Sequence, residues 1–252
     1  LFTAEDNMLY LKLIYEHAEH LKNTLLKDAA RTGNHVTTEC AALYTIGCVF
    51  QEFKKSEEWR VIAIDRYMNE IKRVVPPDGL QAELSPSYHY GVVATYKQLY
   101  DIAKINDIRL PEEFTSRLLD MYRAPVLLMD QWGDHVRTND SSLKNIKEIS
   151  KEGLKIGYDP VLAWIVSDGE EGEELPATTY LNHAGFYMMR SGWKDNGMFL
   201  FFRGGPQGIG HAEQEKLQIV LKAWGKDLLF DPGKYPYDQS DWRRFSINTP
   251  SH

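Results

Sequence analysis

The chain has 252 residues, of which 43% are hydrophobic and 12% aromatic, and its formal net charge is -7 at pH 7. This apolar content is enough for one large domain or two modest ones, and a negative charge without a Lys/Arg stripe argues against a nucleic-acid-binding protein. No run of about 18 apolar residues occurs, so the sequence predicts no membrane-spanning helix, and no basic-then-apolar leader opens the chain.

The first two thirds of the chain have the periodicity of helices, with apolar residues three and four positions apart. Pro/Gly-containing segments at 76–79 and 107–111 interrupt the pattern. Successive antiparallel helices joined by short loops favour an α/α toroid or solenoid. The predicted helices are residues 4–31, 36–54, 57–74, 87–106, 112–131 and 142–153.

The last third has a different character. Residues 168–176 form an acidic stretch, DGEEGEELP, which is typical of a surface linker. The short segments that follow, with glycine-containing turns between them, predict antiparallel strands at 185–190, 198–203, 217–224 and 227–230. We therefore expect an α+β multidomain fold, with a helical module at 1–167 and an antiparallel β-sheet or sandwich at 177–252 that is incomplete at its C-terminal end.

A first cluster of polar residues lies at the start of the second predicted helix. Gly33 fits a break between helices, so Asn34 and His35 project from a helix start. Two plainer interpretations remain open: Asn34 as a simple N-cap, and His35 with Glu39 as an i,i+4 pair.

A second cluster follows the Pro-Pro-Asp-Gly break. Pro86 suits the first turn of a helix with Ser85 as its cap, which places Tyr88 in that turn beside His89. Because a helix N-terminus favours anions, the pKa of Tyr88 is expected below its usual value near 10. The alternative is an aromatic packing residue.

A third cluster surrounds His211, which lies in a Gly-rich turn before a predicted β-hairpin that Asp231 closes. If the strand has already begun there, Glu213 and Glu215 share a face with His211. Asp231, before Pro-Gly, is equally suited to a turn in which its carboxylate binds local amides.

Taken in order, these clusters resemble the heparinase II/III-like polysaccharide lyases. The resemblance runs from about residue 33 to the last residue and is carried by GNH…E, PDGLQAELSPSYH, RSGW, GPQGIGHAEQEKL, LLFDPGKYPY, WRRF and a terminal Ser-His. It implies an incomplete α/α toroid followed by β-sandwich layers, with a catalytic site in the cleft between them. The implied catalytic residues are Asn34, His35, Tyr88 and His211, and the expected substrate-binding residues are Glu39, His89, Arg203 and Arg243.

The resemblance also implies a structural divalent metal, commonly zinc, with Asp231 and His252 as ligands. The family's third ligand is a histidine, but this chain has Glu213 at that position. One imidazole with two carboxylates also suits a harder ion such as manganese or calcium. No organic cofactor is expected.

The implied reaction is β-elimination at a uronic acid of an acidic polysaccharide, of the heparan sulfate, heparin or alginate type, which gives a 4,5-unsaturated end. Asn34 and His35 would stabilise the charged carboxyl group, and either Tyr88 or His211 would remove the C5 proton. A periplasmic or secreted bacterial setting is expected by resemblance. The alternatives are a glycoside hydrolase that uses two carboxylates from among Glu39, Glu83 and Asp140, and a non-catalytic glycan-binding protein.

Overall fold

The computed structural model describes residues 3–193 and 197–248. The chain forms two compact units, the first made of Leu1–Val74 and Ala94–Thr115 and the second of Val75–Val93 and Ser116–His252. The predicted module boundary between residues 167 and 177 stays a prediction. None of the described helices combines the length and the apolar character that crossing a membrane requires.

Helices dominate the first part of the described chain and strands the second, which confirms the predicted fold class. The helices are α1 Ala4–Lys27, α2 Asn34–Val49, α3 Ser56–Val74, α4 Pro86–Ile105, α5 Glu112–Leu127, α6 Lys147–Leu154, α7 Pro160–Val166 and α8 Asp241–Ser246. The strands are β1 Thr178–Leu181, β2 Phe186–Arg190, β3 Met198–Arg203, β4 Ile219–Ala223 and β5 Lys226–Leu229.

The first unit is built around aromatic side chains. Trp59, Tyr67, Tyr96 and Phe114 are fully buried, and the rings of Tyr67 and Tyr96 meet edge to face with centroids 4.8 Å apart. Such pairs stabilise a core beyond the burial of their area alone.

The second unit contains one five-stranded antiparallel sheet in the order β1-β2-β3-β4-β5. Alternate residues of β2 and β3 are buried, and Met188 pairs with Phe201 across the two strands. Because side chains alternate between the faces of a strand, one face of the sheet joins a core whose other buried members are Leu80, Leu84, Ala124, Leu128, Val136, Leu181, Ala184, Phe186, Phe199 and Val220.

The loop between β3 and β4 differs from the prediction. Strand β4 begins at Ile219 rather than residue 217, so Glu213 and Glu215 lie in irregular backbone and do not alternate as strand residues. Leu217 itself has a positive φ of 65°, which is incompatible with extended strand backbone. His211 therefore lies in a long loop, and Asp231 follows β5 in a turn.

Candidate active site

Tyr88, His211 and Tyr237 form one cluster within the second unit. The rings of Tyr88 and His211 are stacked, with centroids 3.4 Å apart and an interplanar angle of 12°. The Tyr237 hydroxyl lies 3.0 Å from the Tyr88 hydroxyl and 3.2 Å from His211 Nδ1. Two of the four predicted catalytic residues are thus in direct contact, and Tyr237, to which sequence analysis assigned no role, joins them.

The turn at Asn139 and Asp140 holds the two halves of this cluster together. Asn139 adopts a left-handed backbone with φ 55°. Its amide donates to the Leu84 carbonyl at 2.8 Å and accepts from the Glu213 backbone N–H at 2.7 Å. The Asp140 backbone N–H donates to the His211 carbonyl at 3.4 Å. One short turn therefore connects the segment that carries Tyr88 with the loop that carries His211.

The glycines before His211 allow the loop to lie directly against Glu83. A Cβ at Gly208 would come within 2.7 Å of the Glu83 carbonyl oxygen, and the Ile209 backbone N–H donates to the Ala82 carbonyl at 3.1 Å. A side chain at Gly208 would displace this backbone. Gly208 thus allows the two protein segments to approach closely, and His211 Nε2 lies 4.0 Å from Glu83 Oε2.

The predicted lowering of the Tyr88 pKa is wrong. Burial and the negative charges of Asp140 and Glu83 raise the pKa of Tyr88, and the opposing effect of Arg243 is smaller. The helix N-terminus at Pro86 is present as predicted. Burial, the carboxylate of Asp140, which the tertiary fold brings near, and that of Glu83, just before the helix, outweigh its effect. Tyr88 is consequently a neutral phenol at neutral pH.

A pocket of about 380 Å³ opens beside the cluster, lined in part by Asp140, His211, Tyr237 and Arg243. The Arg243 guanidinium lies 4.7 Å from the Tyr237 ring centroid, and its Nη1 donates to the Tyr235 carbonyl at 3.1 Å. A cation fixed at the wall of a pocket beside a phenol and an imidazole suits an anionic ligand. The predicted binding role of Arg243 stays a prediction, and its position is compatible with it.

His89 does not line this pocket, contrary to its predicted binding role. It is fully buried, its Nε2 donates to the Met121 carbonyl at 2.8 Å, and its Nδ1 accepts from the Gln81 backbone N–H at 3.3 Å. Burial lowers the pKa of His89 to about 4. Both ring nitrogens are occupied by the backbone, so His89 is a structural residue that fixes the segment before Tyr88.

Arg203 is likewise a core residue and not a substrate contact. It is fully buried, forms an ion pair with Glu215, and donates to the Asn139 side chain at 3.1 Å. Burial lowers the pKa of Arg203 to about 10, which still leaves it charged at neutral pH. The prediction failed because sequence does not distinguish an arginine at a strand end that points inward from one that points into a pocket.

Comparison with known protein families shows which family this chain belongs to. Residues 1–155 match the model of the heparinase II/III N-terminus, and residues 173–252 match that of the heparinase II/III-like C-terminal region. The chain belongs to the heparinase II/III family. This finding confirms the resemblance derived from the order of the motifs.

Individual members of the heparinase II/III family agree with this result. A heparin-sulfate lyase of Bacteroides stercoris is 27% identical over 260 residues, covering 96% of this chain and 38% of that protein. A heparin-sulfate lyase of Pedobacter heparinus is 27% identical over 247 residues, covering 94% of this chain and 36% of that protein. The chain therefore spans well under half the length of the curated relatives it matches.

Solved structures of the heparinase II/III family show the same fold. A heparinase III gene product superposes with a TM-score of 0.82 at 24% identity, covering 100% of this chain and 40% of that chain. The heparan sulfate lyase HepC from Pedobacter heparinus superposes with a TM-score of 0.76 at 25% identity, covering 98% of this chain and 40% of that chain.

The carboxylates at the predicted metal position form a buried cluster. Glu213, Glu215 and Asp231 are all buried, and each offers an oxygen within 4.8 Å of the others. Glu215, not predicted as a ligand, joins the two predicted ones. Asp231 also accepts from the Gly233 backbone N–H at 2.5 Å, which is the turn role that the sequence left open. His252, the remaining predicted ligand, lies outside the described residues.

Asn34 and His35 lie in the first unit, at the start of α2. Gly33, with φ 108°, is the N-cap residue, so Asn34 is not the cap that the plainer interpretation required. The Gly33 backbone N–H donates to Glu70 Oε1 at 2.6 Å, and this buried carboxylate fixes the loop before the helix. Glu39 forms a two-point ion pair with Arg31 rather than pairing with His35. The catalytic roles of Asn34 and His35 stay predictions.

Proposed function

We propose that the chain is part of a polysaccharide lyase that cleaves heparan sulfate or a related glycosaminoglycan by β-elimination. The observation that carries this proposal is the stacked pair of Tyr88 and His211, whose polar edges meet at the Tyr237 hydroxyl. The names of the two curated relatives, both heparin-sulfate lyases, support the glycosaminoglycan class over alginate.

β-Elimination at a 4-linked uronic acid needs a base for the C5 proton and an acid for the departing O4. We assign the base to His211 and the acid to Tyr88. The C5–H bond breaks as His211 takes the proton, its electron pair forms the C4–C5 double bond, and the C4–O4 bond breaks. Tyr88 donates its phenolic proton to O4, so the products are an unsaturated uronate and a free hydroxyl.

This assignment follows from the protonation state of Tyr88. A phenolate base is disfavoured because burial and the carboxylates of Asp140 and Glu83 raise the Tyr88 pKa. A neutral phenol is, in contrast, ready to donate. A neutral imidazole carries one lone pair with which it can accept a proton. We therefore propose His211 as the base, a choice that the sequence left open.

The raised pKa of Tyr88 predicts the pH at which Tyr88 can no longer act as the general acid. The phenol is present below its pKa and disappears as the pH rises through that value. Since the pKa is raised above the ordinary value near 10, loss of the acid is expected only above about pH 10. The near-ultraviolet phenolate absorbance of the full-length protein, minus that of Tyr88→Phe, measures this ionisation directly. A Tyr88 phenolate forming below about pH 9 would contradict the assignment.

The C5 proton is weakly acidic while the uronate carboxylate keeps its full charge, so this charge must be stabilised as the proton leaves. We assign that task to Asn34 and His35. An asparagine amide has two N–H donors, and a histidine adds another. Arg243, at the wall of the pocket beside His211, is assigned to a carboxylate or sulfate group of the same polymer.

The proposal is tested with the full-length protein on a panel of heparan sulfate, heparin, chondroitin sulfate and alginate. New ends that carry the absorbance of an unsaturated uronate are expected on heparan sulfate. New reducing ends without that chromophore would instead indicate hydrolysis, and binding without any new ends would indicate a glycan-binding protein. The natural location of such polymers also favours a periplasmic or secreted setting, which fractionation of the producing cell would test.

We also propose a structural divalent cation held by Glu213 and Asp231, with Glu215 beside them. Three buried carboxylates form an oxygen donor set, which suits calcium or manganese better than zinc. Such an ion would fix the loop that carries His211 relative to the end of β5. Elemental analysis of the purified full-length protein should then find about one calcium or manganese per chain, and zinc in that amount would show that the donor-set argument is wrong.

A further inference from the structure

His211 has a carboxylate near each ring nitrogen. Asp140 Oδ2 lies 3.4 Å from Nδ1 and Glu83 Oε2 lies 4.0 Å from Nε2. Asp140 is 2% exposed, and neither of its carboxylate oxygens receives a hydrogen bond from any residue in the described part of the chain. A buried carboxylate is strongly destabilised unless a donor or a positive charge faces it. His211 Nδ1 is the group that faces Asp140.

A neutral imidazole carries one N–H and one lone pair. If the lone pair were on Nδ1, it would face the buried Asp140 carboxylate at 3.4 Å, and two acceptors at that distance would repel each other. With the proton on Nδ1, the same contact becomes attractive. The more distant Glu83 exerts a weaker effect on Nε2, since electrostatic energy falls with distance. The Tyr237 hydroxyl, 3.2 Å from Nδ1, can accept from Nδ1–H while it donates to the Tyr88 hydroxyl. The charge of Asp140 therefore decides the balance in favour of the Nδ1–H form.

We propose that Asp140 is a positioning residue that holds neutral His211 in the Nδ1–H tautomer and leaves the lone pair of Nε2 free. Backbone contacts fix the arrangement: the Asp140 N–H donates to the His211 carbonyl at 3.4 Å, and the Ser85 hydroxyl donates to the Asp140 carbonyl at 3.0 Å. These contacts fix the Asp140 backbone beside His211, and from there the buried carboxylate reaches to 3.4 Å from Nδ1.

The catalytic consequence rests on the proposed function. A base must present a lone pair to the C5 proton, and only the Nδ1–H tautomer presents it from Nε2. When Nε2 accepts that proton, the ring becomes positively charged, and Asp140 and Glu83 stabilise the new charge. Asp140 acts through His211, as a carboxylate does in a Ser-His-Asp triad, where replacement by the amide leaves the geometry intact but favours the wrong tautomer.

The tautomer is measured without any substrate. Long-range ¹H–¹⁵N spectra of full-length protein labelled with [¹⁵N]histidine, recorded at a pH where the ring is neutral, distinguish a protonated from an unprotonated nitrogen. A His211→Gln spectrum identifies the signal. The wild type is expected to show Nδ1–H. In Asp140→Asn and Asp140→Ala, the proton is expected to shift toward Nε2, because Glu83 is then the remaining carboxylate beside the ring. A wild-type Nε2–H form, or an unchanged tautomer in both variants, overturns the proposal.

Turnover gives a second readout. For Asp140→Asn we expect kcat to fall by about 10²- to 10⁴-fold with KM changed only a few-fold, and an unchanged melting temperature. Asp168→Asn, which alters an exposed carboxylate paired with Lys147, should leave both tautomer and kcat unchanged. If the tautomer shifted in Asp140→Asn but turnover stayed normal, Asp140 would not be a positioning residue for catalysis. Absence of lyase activity in the wild type would reject the proposed function alone, since the NMR result still decides the tautomer.

Discussion

Replacing Tyr88 with phenylalanine is expected to reduce kcat for β-elimination by about 10²- to 10⁴-fold, the range that general acid catalysis contributes. The phenyl ring can still stack on His211, as the tyrosine ring does at 3.4 Å, so the local packing is retained. The proton for O4 is lost, together with the contact between the Tyr88 and Tyr237 hydroxyls. KM should therefore change only a few-fold, and the circular dichroism spectrum should be unchanged. The measurement is the initial rate of unsaturated-uronate formation on heparan sulfate.

A matched control is Tyr158→Phe, which removes the same hydroxyl from a side chain that is 73% exposed. It should leave the rate unchanged. If Tyr88→Phe kept at least half of the wild-type kcat, Tyr88 would not be the acid. If the wild type showed no turnover and both the wild type and Tyr88→Phe bound heparan sulfate equally well, the glycan-binding alternative would be favoured.

Replacing Arg203 with methionine is expected to destabilise the second unit by about 3–5 kcal/mol, the range for breaking a buried ion pair. Arg203 and Glu215 are both essentially inaccessible to solvent, and Glu213 and Asp231 contribute further negative charge nearby. Without the guanidinium, Glu215 becomes a buried charge without its cation. Urea denaturation of the full-length protein, followed by tryptophan fluorescence, measures the change.

The double variant Arg203→Met with Glu215→Gln separates charge from packing. Removing both charges should recover a substantial part of the lost stability, because a buried pair costs most when only one partner is removed. Lys147→Met breaks an ion pair of 2.5 Å on the surface and should cost less than about 1 kcal/mol. Equal effects of Arg203→Met and Lys147→Met would show that the buried ion pair of Arg203 does not stabilise the fold.

Much of this organisation is readable from sequence because it depends on local patterns. Strand β3 has the predicted bounds, and Pro86 begins α4 as its fixed φ suggests. Strand β1 and helices α7 and α8 are absent from the prediction. They have four, seven and six residues, which is too short for apolar periodicity to identify an element with certainty.

The sequence by itself determined the order of a helical part and a β part, the resemblance to the heparinase II/III family, and the candidate residues Tyr88 and His211. These conclusions depend on periodicity and on motifs in a fixed order, both of which are properties of the linear chain.

Only the tertiary structure decided what surrounds each side chain. It placed Asp140 beside His211 although the two are far apart in sequence, and it put Arg203 in the core and not in the pocket. It also reversed the expected shift of the Tyr88 pKa. Burial and charge act through space, so burial of the ring and the carboxylates of Asp140 and Glu83 outweighed the local effect of the helix N-terminus.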